Sequence, residues 1–178
     1  MVGRHGARHY KLYTPARAAK GVESAAPRPL VVMLRGCSQP PDDFAAGTGM
    51  NALAGELGFL VAYPGQPVGA NSNKCWNWFR RADQARGAGE PAVIASLTKA
   101  ILRARRADPA GVYVAGLSAG SAAAIIVANA YPDVFAAAGV HSGLPVGAAH
   151  DGTLAFLAMR RGSVAAAARH DLHRSVAA

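Results

Sequence analysis

Four continuous apolar runs, at residues 30–34, 59–63, 112–115 and 134–140, constrain this chain more than any other feature. A strand with one wet face alternates apolar and polar residues. A strand that is apolar throughout needs cover on both faces, as parallel strands have. Helical spacing fills the gaps between the runs. Asp42 and Asp43 open one helix, and Met50, Leu53, Ala54 and Leu57 continue it. Pro91 opens another, with Ile94, Leu97, Ile101 and Leu102 on one face, and a third covers 119–131 up to Pro132. A weaker alternating segment at 9–13 precedes them all. The β-α-β-α-β-α-β order implies an α/β protein with a mostly parallel sheet and helices on both faces, a three-layer sandwich. With 178 residues, 51% hydrophobic and only 16% charged, the chain reads as one domain over 1–178 and is excluded from the disordered class.

Ligands on such sheets bind beyond the carboxyl ends of the strands. That rule selects three loops: 35–41, 64–90 and 116–120. The last is Gly116-Leu117-Ser118-Ala119-Gly120, a G-x-S-x-G between a strand and a helix. This chemistry needs a serine on a sharp, strained strand-to-helix turn, where its oxygen stands exposed. Glycines two positions either side leave room that side chains would fill. The helix starting at Ala119 aims free N–H groups at a developing oxyanion. Ser118 is the candidate nucleophile. Arg35-Gly36-Cys37-Ser38-Gln39 follows an earlier strand and is read two ways: as a simple glycine turn, or as the source of a second oxyanion donor from the Cys37 backbone. The 64–90 loop is long for a compact domain, which points to function.

The run LVVMLRGCSQPPDDFAAGTGMNALAGELGFLVAYPGQ, the segment NKCWNWF at 73–79, and VYVAGLSAGSAAA with YPDVFAAAGVHSGLP together resemble the poly(3-hydroxyalkanoate) depolymerase-like esterases, α/β-hydrolases related to feruloyl and acetyl-xylan esterases. The resemblance covers roughly residues 8–149. It implies a secreted serine esterase acting on polyester or plant-type esters. It places the nucleophile at Ser118, the oxyanion backbone donors at Cys37 and Ala119, and Trp76 in an aromatic segment lining the site. The residues themselves leave two readings of that segment: a wall for the acyl or aryl part of the ester, or Trp78 and Phe79 packing the loop onto the body. It also suggests a Cys37–Cys75 disulfide; the alternative is two buried thiols. No metal or organic cofactor is implied. Two departures stand out: Arg35 occupies a place where the family usually has His, and Ser121 one where it usually has a second Gly. Arg35 either distorts the oxyanion loop or faces solvent.

A serine nucleophile needs a base and an acid to orient it, in the order Ser…Asp/Glu…His for this architecture. The downstream candidates are Asp133, Asp151 and Asp171 with His141, His150, His170 and His173. None sits on a loop after a further strand as the mechanism requires. His141 ends a strand on the right side but reads as a supporting residue, and no strand-like run follows about residue 144. The expectation is a C-terminally truncated α/β-hydrolase domain lacking its last strands, with 162–178 a non-native tail and with weak or no activity alone. The competing reading is a catalytically inactive homologue acting as a binding module. A nucleotide-binding domain is disfavoured because neither G-x-G-x-x-G nor a Walker A motif occurs.

The net charge of +9 raises nucleic acid as a partner. The basic residues come as scattered pairs (Arg80-Arg81, Arg105-Arg106, Arg160-Arg161) rather than one stripe, so no nucleic-acid partner is expected. Residues 109–131 carry no charge, yet their glycines split them into a buried βα unit, so no membrane partner is expected either. The opening residues are polar and basic and show no signal-peptide pattern. An extracellular location therefore rests on the resemblance alone.

Overall fold

The computed structural model describes residues 2–3, 6–16 and 26–161. A short hairpin of β1 (Val2–Gly3) and β2 (Gly6–Ala7) leads into β3 (Tyr10–Tyr13). Then follow β4 (Leu30–Leu34), α1 (Pro41–Thr48), α2 (Met50–Leu57), β5 (Leu60–Pro64), α3 (Gly89–Arg105), β6 (Val112–Leu117), α4 (Ala119–Ala130), β7 (Ala137–His141) and α5 (Gly152–Arg161). The main sheet runs β3-β5-β4-β6-β7, parallel throughout except for β3, which pairs antiparallel with β5. This is the α/β three-layer arrangement expected from the apolar runs.

Strand periodicity explains the layers. Leu30, Val32 and Leu34 of β4 face the same way as Leu60 and Ala62 of β5, and meet Ile94 and Ile101 of α3 and Val127 of α4 in the main core. The intervening Met33, Val61 and Tyr63 point to the other face and meet Phe44 of α1 and Ala54 of α2. Both faces of β4 and β5 are thereby dry, which is why their sequences do not alternate.

Several boundaries differ from the sequence reading. The helix expected across 42–57 is two helices, because Gly49 adopts φ 62 between them and closes α1 by donating to the Ala46 carbonyl. The strand expected from residue 134 begins at Ala137. Val134 and Phe135 instead turn back on Tyr131, both donating to its carbonyl, and bury their side chains in the core. The helix expected at 153–161 is α5, whereas the one expected at 164–169, like the proposed tail, lies outside the described residues. At the far end of the sheet β7 is nearly all exposed, with Val140 52% accessible.

Candidate active site

Sheet register brings the three selected loops to one end of the molecule. Leu34 of β4 pairs with Gly116 of β6, and Val32 of β4 pairs with Ala62 of β5, so the chain leaves all three parallel strands at about the same level. Ser118 stands there with φ 55 and ψ −121, its side chain exposed, and α4 starts at the next residue. A non-glycine residue held at positive φ is strained and needs its surroundings to hold it. Here the Ser118 N–H donates to the His141 carbonyl at 3.0 Å, and the Ser118 carbonyl accepts from Ser121 and Ala122. The flanking glycines are steric requirements. A Cβ on Gly116 would collide with the Gly120 backbone, and one on Gly120 with the carbonyl oxygens of Leu34 and Arg35.

The same contacts place the 35–41 loop beside the elbow. A Cβ on Gly36 would lie 3.8 Å from the Ser118 Cβ. Cys37 follows, and its sulfur is bonded to Cys75 with Cα atoms 4.2 Å apart. Among the described residues, no backbone carbonyl or side chain accepts a hydrogen bond from the Cys37 amide, and that of Ala119 begins its helix.

A cavity of about 420 Å³ opens at Ser118, lined by Trp78, Ala119, Ala122, Leu144, Ala158 and Met159 together with Ser142 and Gly143. The aromatic wall is Trp78. Trp76, expected to line the site, is 0% exposed and packs into the main core instead. The reason is a turn over residues 77–80, closed by the Arg80 N–H donating to the Asn77 carbonyl at 2.9 Å. It re-aims the chain after Trp76, so Trp78 packs on Ala119, Ala122 and Ile126 of α4, edge-to-face with Phe79.

Buried polar groups hold this wall loop. The Glu90 carboxylate, at the start of α3, accepts from the Asn77 backbone N–H and the Asn77 side-chain amide, both at 2.7 Å, and from the Gln66 amide. Burial raises its pKa, and those donors offset only part of that rise. Gln66 also donates to the Cys75 carbonyl. Arg35, which was expected either to distort the oxyanion loop or to face solvent, is 2% exposed and points inward. Its guanidinium donates to the Gly36, Lys74 and Gln66 carbonyls, and burial lowers its pKa. Ser121 is fully buried with its hydroxyl unpartnered among the described residues. It fits only because the residue above it is Gly143, whose Cβ would stand 2.6 Å from that hydroxyl oxygen.

The triad candidates do not converge on Ser118, whose hydroxyl has no hydrogen-bond partner among the described residues. His141 bonds to the Ser142 hydroxyl through Nδ1 at 3.0 Å. Asp133 forms a two-pronged pair with Arg86 on the surface, which lowers its pKa to about 2. Asp151 caps α5 through the Leu154 N–H. His170, Asp171 and His173 lie outside the described residues. Sequence reasoning missed Trp78 as wall, Leu144 and Met159 as its companions, and Glu90 as anchor. An acidic residue beside Pro91 signals only a helix start. Among the described residues no cluster of three or more His, Cys, Asp or Glu forms a metal site, and no helix is long and apolar enough to cross a membrane.

Comparison with known proteins gives this geometry a context. Poly(3-hydroxyalkanoate) depolymerase C of Paucimonas lemoignei is 43% identical over 134 residues, which cover 75% of this chain and 32% of that protein. Feruloyl esterase B of Neurospora crassa is 32% identical over 116 residues, covering 65% of this chain and 39% of its own length. Among solved structures, the acetyl xylan esterase from Aspergillus awamori superposes with a TM-score of 0.71 at 28% identity, over 81% of this chain and 50% of that one. The chain thus spans about a third to a half of the relatives it matches. With residues 8–172 matching the family profile, this chain belongs to the Esterase PHB depolymerase family.

Proposed function

We propose that this chain carries the nucleophile half of a carboxylic ester hydrolase that works through an acyl-enzyme on Ser118. The observation that carries this reading is the exposed Ser118 at φ 55, at the mouth of an apolar cavity and one residue before a helix. The hydroxyl attacks the ester carbonyl, and the backbone N–H groups of Ala119 and Cys37 stabilise the resulting oxyanion. The carbonyl re-forms as the alkoxide leaves and takes up the serine proton, giving the free alcohol and the acyl ester on Ser118; water then adds to that ester, and the acid leaves as Ser118 regains a proton from the water. The cavity's Trp78, Leu144 and Met159 suit the apolar or aromatic part of a polyester or aryl ester. The exposed Cys37, disulfide-bonded to Cys75, suits an oxidising, extracellular location.

The unpartnered Ser118 hydroxyl favours a second reading, a catalytically inactive homologue that keeps the pocket as a binding module. Without a base held against the serine, turnover by these residues alone should be weak, resting on the oxyanion donors and binding. Hydrolysis of a short nitrophenyl ester and labelling by a fluorophosphonate decide between the two. Slow turnover and labelling that both vanish in Ser118→Ala support the esterase; absence of both in the unsubstituted chain supports the binding module.

A further inference from the structure

We infer that Arg35 is a positioning residue that latches the oxyanion loop to the cavity wall in parallel with the Cys37–Cys75 disulfide. The inference rests on the reading of Ser118 and Cys37 given above. Two segments meet beside the elbow. One is 35–38, which carries the Cys37 amide and lies against Ser118 through Gly36. The other is 73–75, three residues short of Trp78.

Three consecutive ties zip them together. The Arg35 guanidinium donates to the Lys74 carbonyl at 3.2 Å, the disulfide joins Cys37 to Cys75, and Ser38 donates to the Asn73 carbonyl from its N–H at 2.9 Å and its hydroxyl at 3.1 Å. Arg35 reaches further than the other two. The same nitrogen also bonds the Gly36 carbonyl at 3.0 Å, and the other terminal nitrogen bonds the Gln66 carbonyl at 3.2 Å. Gln66 in turn holds the Cys75 carbonyl and the Glu90 carboxylate. One fork therefore connects the residue before Cys37 to two separate points of the wall loop, Gln66 and Lys74.

The two main ties differ in exposure. Cys37 is exposed, so the disulfide is open to reductant, whereas Arg35 is buried and no change of redox conditions reaches it. A hydrogen bond from a charged donor to a buried carbonyl is among the stronger single ties a loop can have. Either tie alone is expected to hold the loops in register, and the loss of both to release them.

The test compares the unsubstituted chain with Arg35→Met, each oxidised and after a phosphine reductant, by hydrogen exchange of the 66–78 amides and by fluorophosphonate labelling of Ser118. Reduction alone and Arg35→Met alone should each change exchange by less than about threefold. Together they should speed it by about tenfold or more, beyond the product of the single effects, while β4 and β6 amides stay unchanged. In the labelling reaction, the loss should fall on the maximal inactivation rate, with reagent affinity within about twofold, because the loop donates to the developing oxyanion. Arg35→Lys, which keeps the charge but not the fork, should lie between the two and serves if Arg35→Met does not fold. Equal exchange in the reduced unsubstituted chain and reduced Arg35→Met overturns the latch. No labelling of the oxidised unsubstituted chain would instead sink the esterase reading, while the exchange comparison still decides the latch.

Discussion

The two halves of the candidate site are held by different physics. The elbow is one continuous piece of chain, 116–121, and its shape is enforced by sterics: two glycines that tolerate no Cβ, a serine in a strained conformation, and a helix that starts at once. The wall, residues 65–88, has no regular element beyond a 3-10 turn at Arg81–Asp83. It is held from outside, by a disulfide spanning 38 residues and by buried polar groups on Arg35, Gln66 and Glu90. A sterically enforced feature should fail all at once, whereas a tethered one should loosen piece by piece.

Gly120→Ala is the most damaging way to probe that contrast. Its Cβ runs into the carbonyls of Leu34 and Arg35 on the central strand, so the elbow has no relaxed alternative. Forced overpacking of this kind costs roughly 1–3 kcal/mol, occasionally more. Backbone atoms cannot step aside as a side chain does, so the upper end or loss of soluble protein is expected. Thermal unfolding by circular dichroism checks it; a near-native midpoint would show that the elbow is softer than its contacts imply.

Trp78→Ala comes next. It removes a buried ring that packs on α4 and walls the cavity. A substitution of this size in a full core costs about 3–5 kcal/mol, but this ring lines an open cavity, so roughly 2 kcal/mol is expected. Trp76→Ala, at the fully buried position, should cost more than Trp78→Ala while leaving nitrophenyl ester KM less changed. If the two variants reverse, the assignment of the wall is wrong.

Glu90→Ala tests the tethers. It strands the Asn77 and Gln66 donors in a buried place, at roughly 1–3 kcal/mol. The signature should be local: faster hydrogen exchange across 66–78 with β4 and β6 protected. Uniformly faster exchange would mean that wall and elbow unfold as one unit.

Asp133→Asn should have the smallest effect. The bidentate bonds from Arg86 hold the Asp133 pKa at about 2, below its ordinary 3.8. The folded state therefore binds that proton less readily than the unfolded chain does. The resulting stability is present above the unfolded value and disappears as pH falls through about 2. The pair is exposed and screened by salt, so Asn at this position should lower the neutral-pH unfolding midpoint only slightly, and the two proteins should converge as pH falls through about 2. A large drop at neutral pH would show that Asp133 does more than pair with Arg86 and Lys99 on the surface.

The same division explains what could be read before the fold was known. Most of the main sheet and the elbow were legible because their causes are local: apolar runs for β4, β5 and β6, alternation for β3, and a glycine–serine spacing that only a tight strand-to-helix turn satisfies. The start of β7 was misplaced because its run includes Val134 and Phe135, which turn back into the core. The break at Gly49 was missed because helical spacing runs straight across it. In the aromatic segment the residue types were right but the orientation was not. Trp76 and Trp78 are two positions apart, and a turn beginning at Asn77 sends one into the core and the other to the cavity. Nothing in the residues of NKCWNWF says which. Arg35 could be placed in its loop but not aimed, since its partners Gln66 and Lys74 lie 31 and 39 residues downstream.

By itself, then, the sequence determined a parallel α/β sheet with an exposed serine at the end of its β6 strand, because periodicity and glycine sterics act within a few residues. The tertiary structure alone decided which tryptophan faces the cavity, that Arg35 turns inward, and that Glu90 anchors the wall. Those outcomes depend on buried polar groups finding partners, and the partners are brought together only once the sheet has formed.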